Sequence, residues 1–200
     1  MRVLVYHGPW EMTLEQTDEP RPGPDQVLVA VKSVGICGSD VHGYTGSTGR
    51  RSPGVVMGHE LSGVVAAVGA NVAGAAAEDE VVVSPLFPYD GKGVREVLGV
   101  NTAGAYADYV LVHESMLIPK PEGLSFRHAA MAEPLSIAMH AVSRTPIPLM
   151  GNVLVVGAGT IGLLTLLSAR LKGAGTIFVT DMSEHRLALA RDLGADVTIN

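Results

Sequence analysis

An α/β protein is predicted, in which a β-rich first part is followed by the opening of a doubly wound parallel sheet. Three observations predict it. Short β-branched or apolar runs punctuated by Gly, Pro, Asn and Asp fill the first 120 residues. The apolar run VLVV then leads directly into the glycine turn GAGTIG, the two together spanning residues 153–162. From there to the last residue, strand-like and helix-like segments alternate.

In chain order, residues 3–6, 27–34, 61–68, 81–84 and 109–112 read as strands, a spacing that suggests a compact barrel-like or sandwich-like unit. The alanine-rich residues 73–77 read as a loop or a short helix. Residues 126–143 read as one helix, ended by TPIPLMGN, where Pro146 and Pro148 stiffen the chain. Beyond that break come a strand at 153–156, expected to be buried on both faces, and a helix at 161–172. A strand at 176–180, a helix at 184–193 and the start of a third strand at 197–199 complete the pattern. The change of grammar divides the chain into a domain 1–145 and a partial second domain 146–200.

Composition excludes several classes. Half the residues are apolar (47%), enough for a real core, yet no run of eighteen or more apolar residues predicts a membrane span. The start, MRVLVYHGPWEMTLEQ, has no signal-peptide pattern. A single cysteine, Cys37, excludes an internal disulfide framework, and the whole fits a reducing cytoplasm. The net charge of −6 comes with scattered Lys and Arg, so no nucleic-acid footprint is present.

The segment VLVVGAGTIG fits the dinucleotide pattern G-x-G-x-x-G in its proper context, after a strand and before a helix. Gly157 permits the tight turn, Gly159 lets a pyrophosphate approach the backbone, and Gly162 lets helix and strand pack closely. Thr160 and Ile161 complete the turn as candidate cofactor contacts, at a helix N-terminus whose free N–H groups favour phosphate. Asp181 ends the second strand about twenty residues on, where a carboxylate meets the adenosine ribose. Such a carboxylate repels a 2′-phosphate and so favours NAD over NADP. Arg186, close by, is a cation that a phosphate could use. A glycine turn that binds nothing is the plain alternative.

Two further segments carry metal-ligand chemistry, GICGSDVH at 35–42 and GHELSGVVAAVGANV at 58–72. Cys37, His59 and Glu60 offer thiolate, imidazole and carboxylate, and three protein ligands with an open fourth position is the arrangement of a catalytic zinc. Each has a plain alternative, since a lone Cys is most often a small buried hydrophobe. Spacing alone does not bring residues 37 and 59 together.

Over essentially its whole length the chain resembles the zinc-containing medium-chain dehydrogenases. The Gly-His-Glu segment with Gly63 and Gly69, the GICGSD segment and the GAGTIG turn stand in that family's order. The resemblance implies a GroES-like β-barrel N-terminal domain and the first half of a Rossmann sheet, with one catalytic zinc and NAD, NADP being less favoured. It implies Cys37 and His59 as zinc ligands, Asp40 as the carboxylate that orients His59, Ser39 as the hydroxyl that takes the alcohol proton, and His42 as the solvent end of that relay. The segment AEPLSIAMHA at 132–141 has Glu133 where simple alcohol dehydrogenases have a cysteine, which resembles the sorbitol and polyol subgroup. There Glu60 is a direct ligand, and Glu133 either binds zinc or holds its water; both readings stay open.

What this implies is oxidation of a secondary alcohol (a polyol, sugar alcohol or sugar acid) to a ketone, in a homodimer or homotetramer of the full-length form. Residues 85–101, PLFPYDGKGVREVLGVN, lack the four cysteines of the structural zinc that many relatives carry, so no structural zinc is expected. Relatives continue through a full nucleotide domain, so the sequence reads as C-terminally truncated, and these residues alone are expected to bind NAD poorly. The rival expectations are a zinc-free quinone or enone reductase of the same superfamily, which lacks the Cys and His-Glu ligands, and a non-catalytic dinucleotide-binding fragment.

Overall fold

A computed structural model describes residues 1–49 and 51–200. By its contacts the chain divides into two compact units, Met1–Glu133 and Pro134–Asn200. The second unit begins earlier than residue 146 because Val142 packs into the second unit's apolar core.

The first unit opens on a hairpin of β1 (Arg2–Gly8) and β2 (Glu11–Gln16). The strand β3 (Gln26–Val34) leads into the short helix α1 (Gly38–Tyr44). Then follow β4 (Leu61–Val68), β5 (Glu80–Val83), β6 (Tyr109–His113) and β7 (Leu117–Pro119). Five of these strands form one antiparallel sheet in the order β6-β3-β4-β5-β7. Alternate residues point to one side of a strand. Val27 and Val29, Leu61 and Val65, Val81 and Val83, and Val110 and Val112 are accordingly all buried in one core with Leu98, Ala105 and Met116. The β3–β4 register shifts twice, at Leu28/Val29 and Val31/Ser33, and such bulges bend and twist the sheet.

Residues 73–77 form an irregular loop. The Glu114 carboxylate accepts from the Ala73 N–H at 3.0 Å and from the Gly74 N–H, pinning this segment. The helix expected over 126–143 is two helices, α2 (Phe126–Ala129) and α3 (Ala132–Arg144). Ser125 caps the first by accepting from the His128 N–H, and Met131 closes a tight turn onto His128. Pro134 has no N–H for the preceding turn, so the helix must restart. Sequence reading left β2, β7 and α1 unassigned, all three of them short or exposed.

The second unit runs β8 (Val153–Val156), α4 (Thr160–Leu171), β9 (Ile177–Thr180), α5 (Glu184–Asp192) and β10 (Val197–Ile199). Its parallel sheet has the order β10-β9-β8. Val155, Ile177 and Val179 from the strands meet Leu166 of α4 and Leu187 of α5 in one core. Within these residues β8 is covered on one face, with Leu154 59% and Val156 79% exposed on the other. Both helices cover the same face, and β8 is an edge strand here. Among the described residues, no helix is long and apolar enough to cross a membrane.

The glycine turn depends on two different properties of glycine. At Gly162 an added Cβ would overlap the Gly157 carbonyl oxygen, whereas at Gly159 it would point into open space. Gly162→Ala is therefore expected to destabilise the protein by about 1–3 kcal/mol. Gly159→Ala should stay within about 0.5 kcal/mol of the parent. Chemical denaturation of the two variants checks this contrast.

Candidate functional site

The two metal-ligand segments meet because β3 and β4 are antiparallel neighbours. Their pairing ends at Val34 opposite Leu61, and the Gly35 N–H donates to the Glu60 carbonyl at 2.7 Å. Residues just after β3 and just before β4 therefore share one end of the sheet. Cys37 is the N-cap of α1 with extended backbone (φ −74°, ψ 150°). Gly58 turns the chain into His59 at φ +96°, and a Cβ there would come within 2.6 Å of the Tyr106 ring. Only glycine suits both the conformation and the space.

One ligand atom each from Cys37, His59 and Glu60 lies within 4.8 Å of the others. His59 and Glu60 are both buried, and Cys37 is half-buried. Asp40, in the first turn of α1, is 2% exposed and stands behind them. Its Oδ2 accepts from the Tyr106 hydroxyl at 2.9 Å and the Cys37 N–H at 3.2 Å. Its Oδ1 accepts from Arg51 Nη2 at 3.3 Å and lies 3.6 Å from His59 Nδ1. That separation is too long for a hydrogen bond, and His59 Nδ1 is buried without one.

Electrostatics follow from this packing. Burial works against a charged His59, but Asp40 and Cys37 beside it win and push its pKa up to about 10. The same His59 ring holds the Cys37 thiol below its usual range, against burial and with help from Ser39. Burial alone would raise the Asp40 carboxyl, yet His59, Tyr106 and the Cys37 N–H outweigh it and hold it low. Tyr106 is raised, first by burial and then by Asp40.

Glu133 lies at the start of α3 and is not one of the three clustered side chains. Burial raises its carboxyl pKa; His59 opposes this, while the negative charges of Glu60 and Asp40 add to it. These couplings put Glu133 in the electrostatic neighbourhood of the cluster. Ser39 and His42 are exposed, three residues apart on α1, a spacing that sets them on one face of the helix. Among the described residues no hydrogen bond joins them, and His42 Nδ1 lies 3.3 Å from Ser47 Oγ.

In the second unit, Gly157 turns at φ +97° and its N–H donates to the Thr180 carbonyl at 2.8 Å. Gly159 is the N-cap of α4, and Thr160, Ile161 and Gly162 form its first turn. Asp181 follows β9 and braces the turn: Oδ2 accepts from the Ala158 N–H and Oδ1 from the Ser183 N–H, each at 2.8 Å. Those two N–H groups, and then Arg186, hold its carboxyl low. Arg186 Nη1 is 3.8 Å from Asp181 Oδ2. Sequence reading missed Tyr106 and Arg51. Neither belongs to a motif, and each reaches Asp40 only through the fold.

Comparison with known proteins gives consistent results. The family model for the alcohol dehydrogenase GroES-like domain matches residues 23–122. Sorbitol dehydrogenase of Ovis aries is 37% identical over 208 residues, covering 96% of this chain and 58% of that enzyme. A zinc-binding dehydrogenase structure from Sinorhizobium meliloti, bound to NADP, superposes with a TM-score of 0.94 at 30% identity, over 100% of this chain and 61% of its own. The 2R,3R-butanediol dehydrogenase of Bacillus subtilis superposes with a TM-score of 0.90 at 32% identity, over 99% of this chain and 62% of its own. The chain thus spans about three fifths of the length of these relatives.

Because Tyr106 donates to a buried carboxylate, Tyr106→Phe is expected to cost about 1.5–3 kcal/mol of stability, the worth of a hydrogen bond to a charged group. Urea denaturation at pH 7 measures it.

Proposed function

We propose a function from this premise: the chain belongs to the alcohol dehydrogenase family marked by the GroES-like domain. The function is zinc-dependent, reversible transfer of hydride between a secondary alcohol and NAD, the alcohol being a polyol, sugar alcohol or sugar acid. The observation that carries it is the cluster of Cys37, His59 and Glu60. Thiolate, imidazole and carboxylate are the donor types of zinc, and three of them leave a position open for substrate. His59 supports the fit. Nδ1 is buried, unbonded and 3.6 Å from Asp40 Oδ1, so a cation held by the opposite ring nitrogen would leave Nδ1–H turned towards that carboxylate. A zinc-free reductase has no use for this donor set.

When bound, zinc supplies Lewis acidity that lowers the pKa of the alcohol hydroxyl, and the dinucleotide supplies a hydride acceptor. Cys37, His59 and Glu60 hold the metal. Asp40 fixes the tautomer and orientation of His59. Glu133 serves as a further ligand or as the group that holds a water. Ser39 accepts the alcohol proton, and exposed His42 passes it to solvent. Gly157 makes the tight turn and Gly159 leaves room for the pyrophosphate, which meets the free N–H groups of Thr160, Ile161 and Gly162 at the start of α4. Asp181 meets the ribose and favours NAD over NADP, while Arg186 stays paired with Asp181. A single metal per chain and a cytoplasmic homodimer or homotetramer complete the reading.

Cys37→Ser is expected to lower zinc affinity by at least about 100-fold and to abolish turnover. Elemental analysis with an NAD-linked polyol assay tests this; a metal-free Cys37→Ser protein with full activity would refute it. Zinc affinity should also depend on pH. A proton on His59, held up to a pKa of about 10, competes with the metal. Affinity therefore rises with pH below that value, by about tenfold per unit for each proton displaced. Chelator competition between pH 6 and 9 measures the slope, and a flat profile would contradict it.

A further inference from the structure

Arg51 stands in the connection between α1 and β4, with its side chain 4% exposed. A buried guanidinium keeps its charge and is unfavourable unless a counter-charge meets it. Among the described residues its one ion pair is with Asp40, and its Nε is buried with no hydrogen bond. The fold makes room for it at Gly43, where a Cβ would strike Arg51 Cγ at 2.6 Å.

Asp40 does not need Arg51 to stay in place. Its Oδ2 is held by Tyr106 and by the Cys37 N–H, and its own N–H donates to the Cys37 carbonyl at 3.0 Å. Its Oδ1 differs in facing two cationic partners, Arg51 Nη2 at 3.3 Å and His59 Nδ1 at 3.6 Å. We infer that Arg51 sets how strongly Asp40 polarises His59: by sharing Oδ1 it holds down the electron donation of His59 to a bound metal. Arg51 is a positioning residue that acts through Asp40. This inference rests on the reading of Cys37, His59 and Glu60 as metal ligands. Charge balance supports it. The Cys37 thiolate and the Glu60 carboxylate already offset a divalent ion, and Arg51 meets the further negative charge on Asp40.

The test uses the full chain loaded with Co2+. Thiolate-to-cobalt absorption reports ligation by Cys37, and the visible d–d bands report the ligand field. Arg51→Met should free Oδ1 for His59. Co2+ should then bind about tenfold more tightly in chelator competition, and the d–d bands should move to shorter wavelength. Arg51→Lys, a point charge of shorter reach, should move both readouts part-way in the same direction, and it decides the matter if Arg51→Met does not fold. In an Asp40→Asn background, Arg51→Met should leave the d–d bands where they are. Weaker binding, the outcome for an arginine that only props its loop, overturns the inference. Unchanged bands, or an equal shift in the Asp40→Asn background, do so as well. Absence of thiolate absorption from the unmodified chain overturns the metal reading and this inference together. Normal absorption that ignores Arg51 overturns the inference alone.

Discussion

The pairing of β3 with β4 ends at Val34 opposite Leu61, and the first unit's chemistry hangs from that end point. Cys37 lies three residues beyond one strand, and His59 and Glu60 come just before the other. A slip of β3 by one residue in this ladder would send Val27 and Val29 from the core to the opposite face. Core burial and the convergence of Cys37, His59 and Glu60 are therefore fixed by the same register. The two bulges bend the pair without losing it, and Gly58 lets the chain enter β4 with His59 and Glu60 turned inward.

Behind Cys37, His59 and Glu60, the site consists of charge kept from water. Asp40, His59 and Glu60 are buried together, an arrangement that is stable only when opposite charges and donors meet. Asp40 collects most of them: a backbone N–H, a tyrosine hydroxyl, a guanidinium and a facing imidazole. The resulting field draws a proton onto His59 and away from Cys37. A cation that replaces that proton enters a site already arranged for positive charge. The second unit makes a comparable economy at Asp181, whose carboxylate joins the glycine turn to the start of α5 through two backbone N–H groups.

The strands at the centre of the first sheet and the alternation of the second unit were legible because their residues repeat a pattern. Alternate apolar positions in β3 and β4, and glycines between a strand and a helix, each follow from local geometry. The exposed face of β8 was not legible. VLVV reads as a strand covered on both sides, while the helices that follow it both pack on one side. Nor was the break between α2 and α3, which falls just ahead of Pro134 in the first turn of α3.

By itself the sequence determined the chemistry available: one thiol, a His-Glu pair, a carboxylate at residue 40, and a glycine turn followed by an acid at residue 181. These are identities and local conformations, which neighbouring residues specify. Only the tertiary structure decided which groups meet. Twenty-two positions separate Cys37 from His59, and no spacing rule spans such a loop; the β3–β4 register closes it. Tyr106 and Arg51 carry no motif at all, and their part was decided by where the core left a buried carboxylate in need of donors.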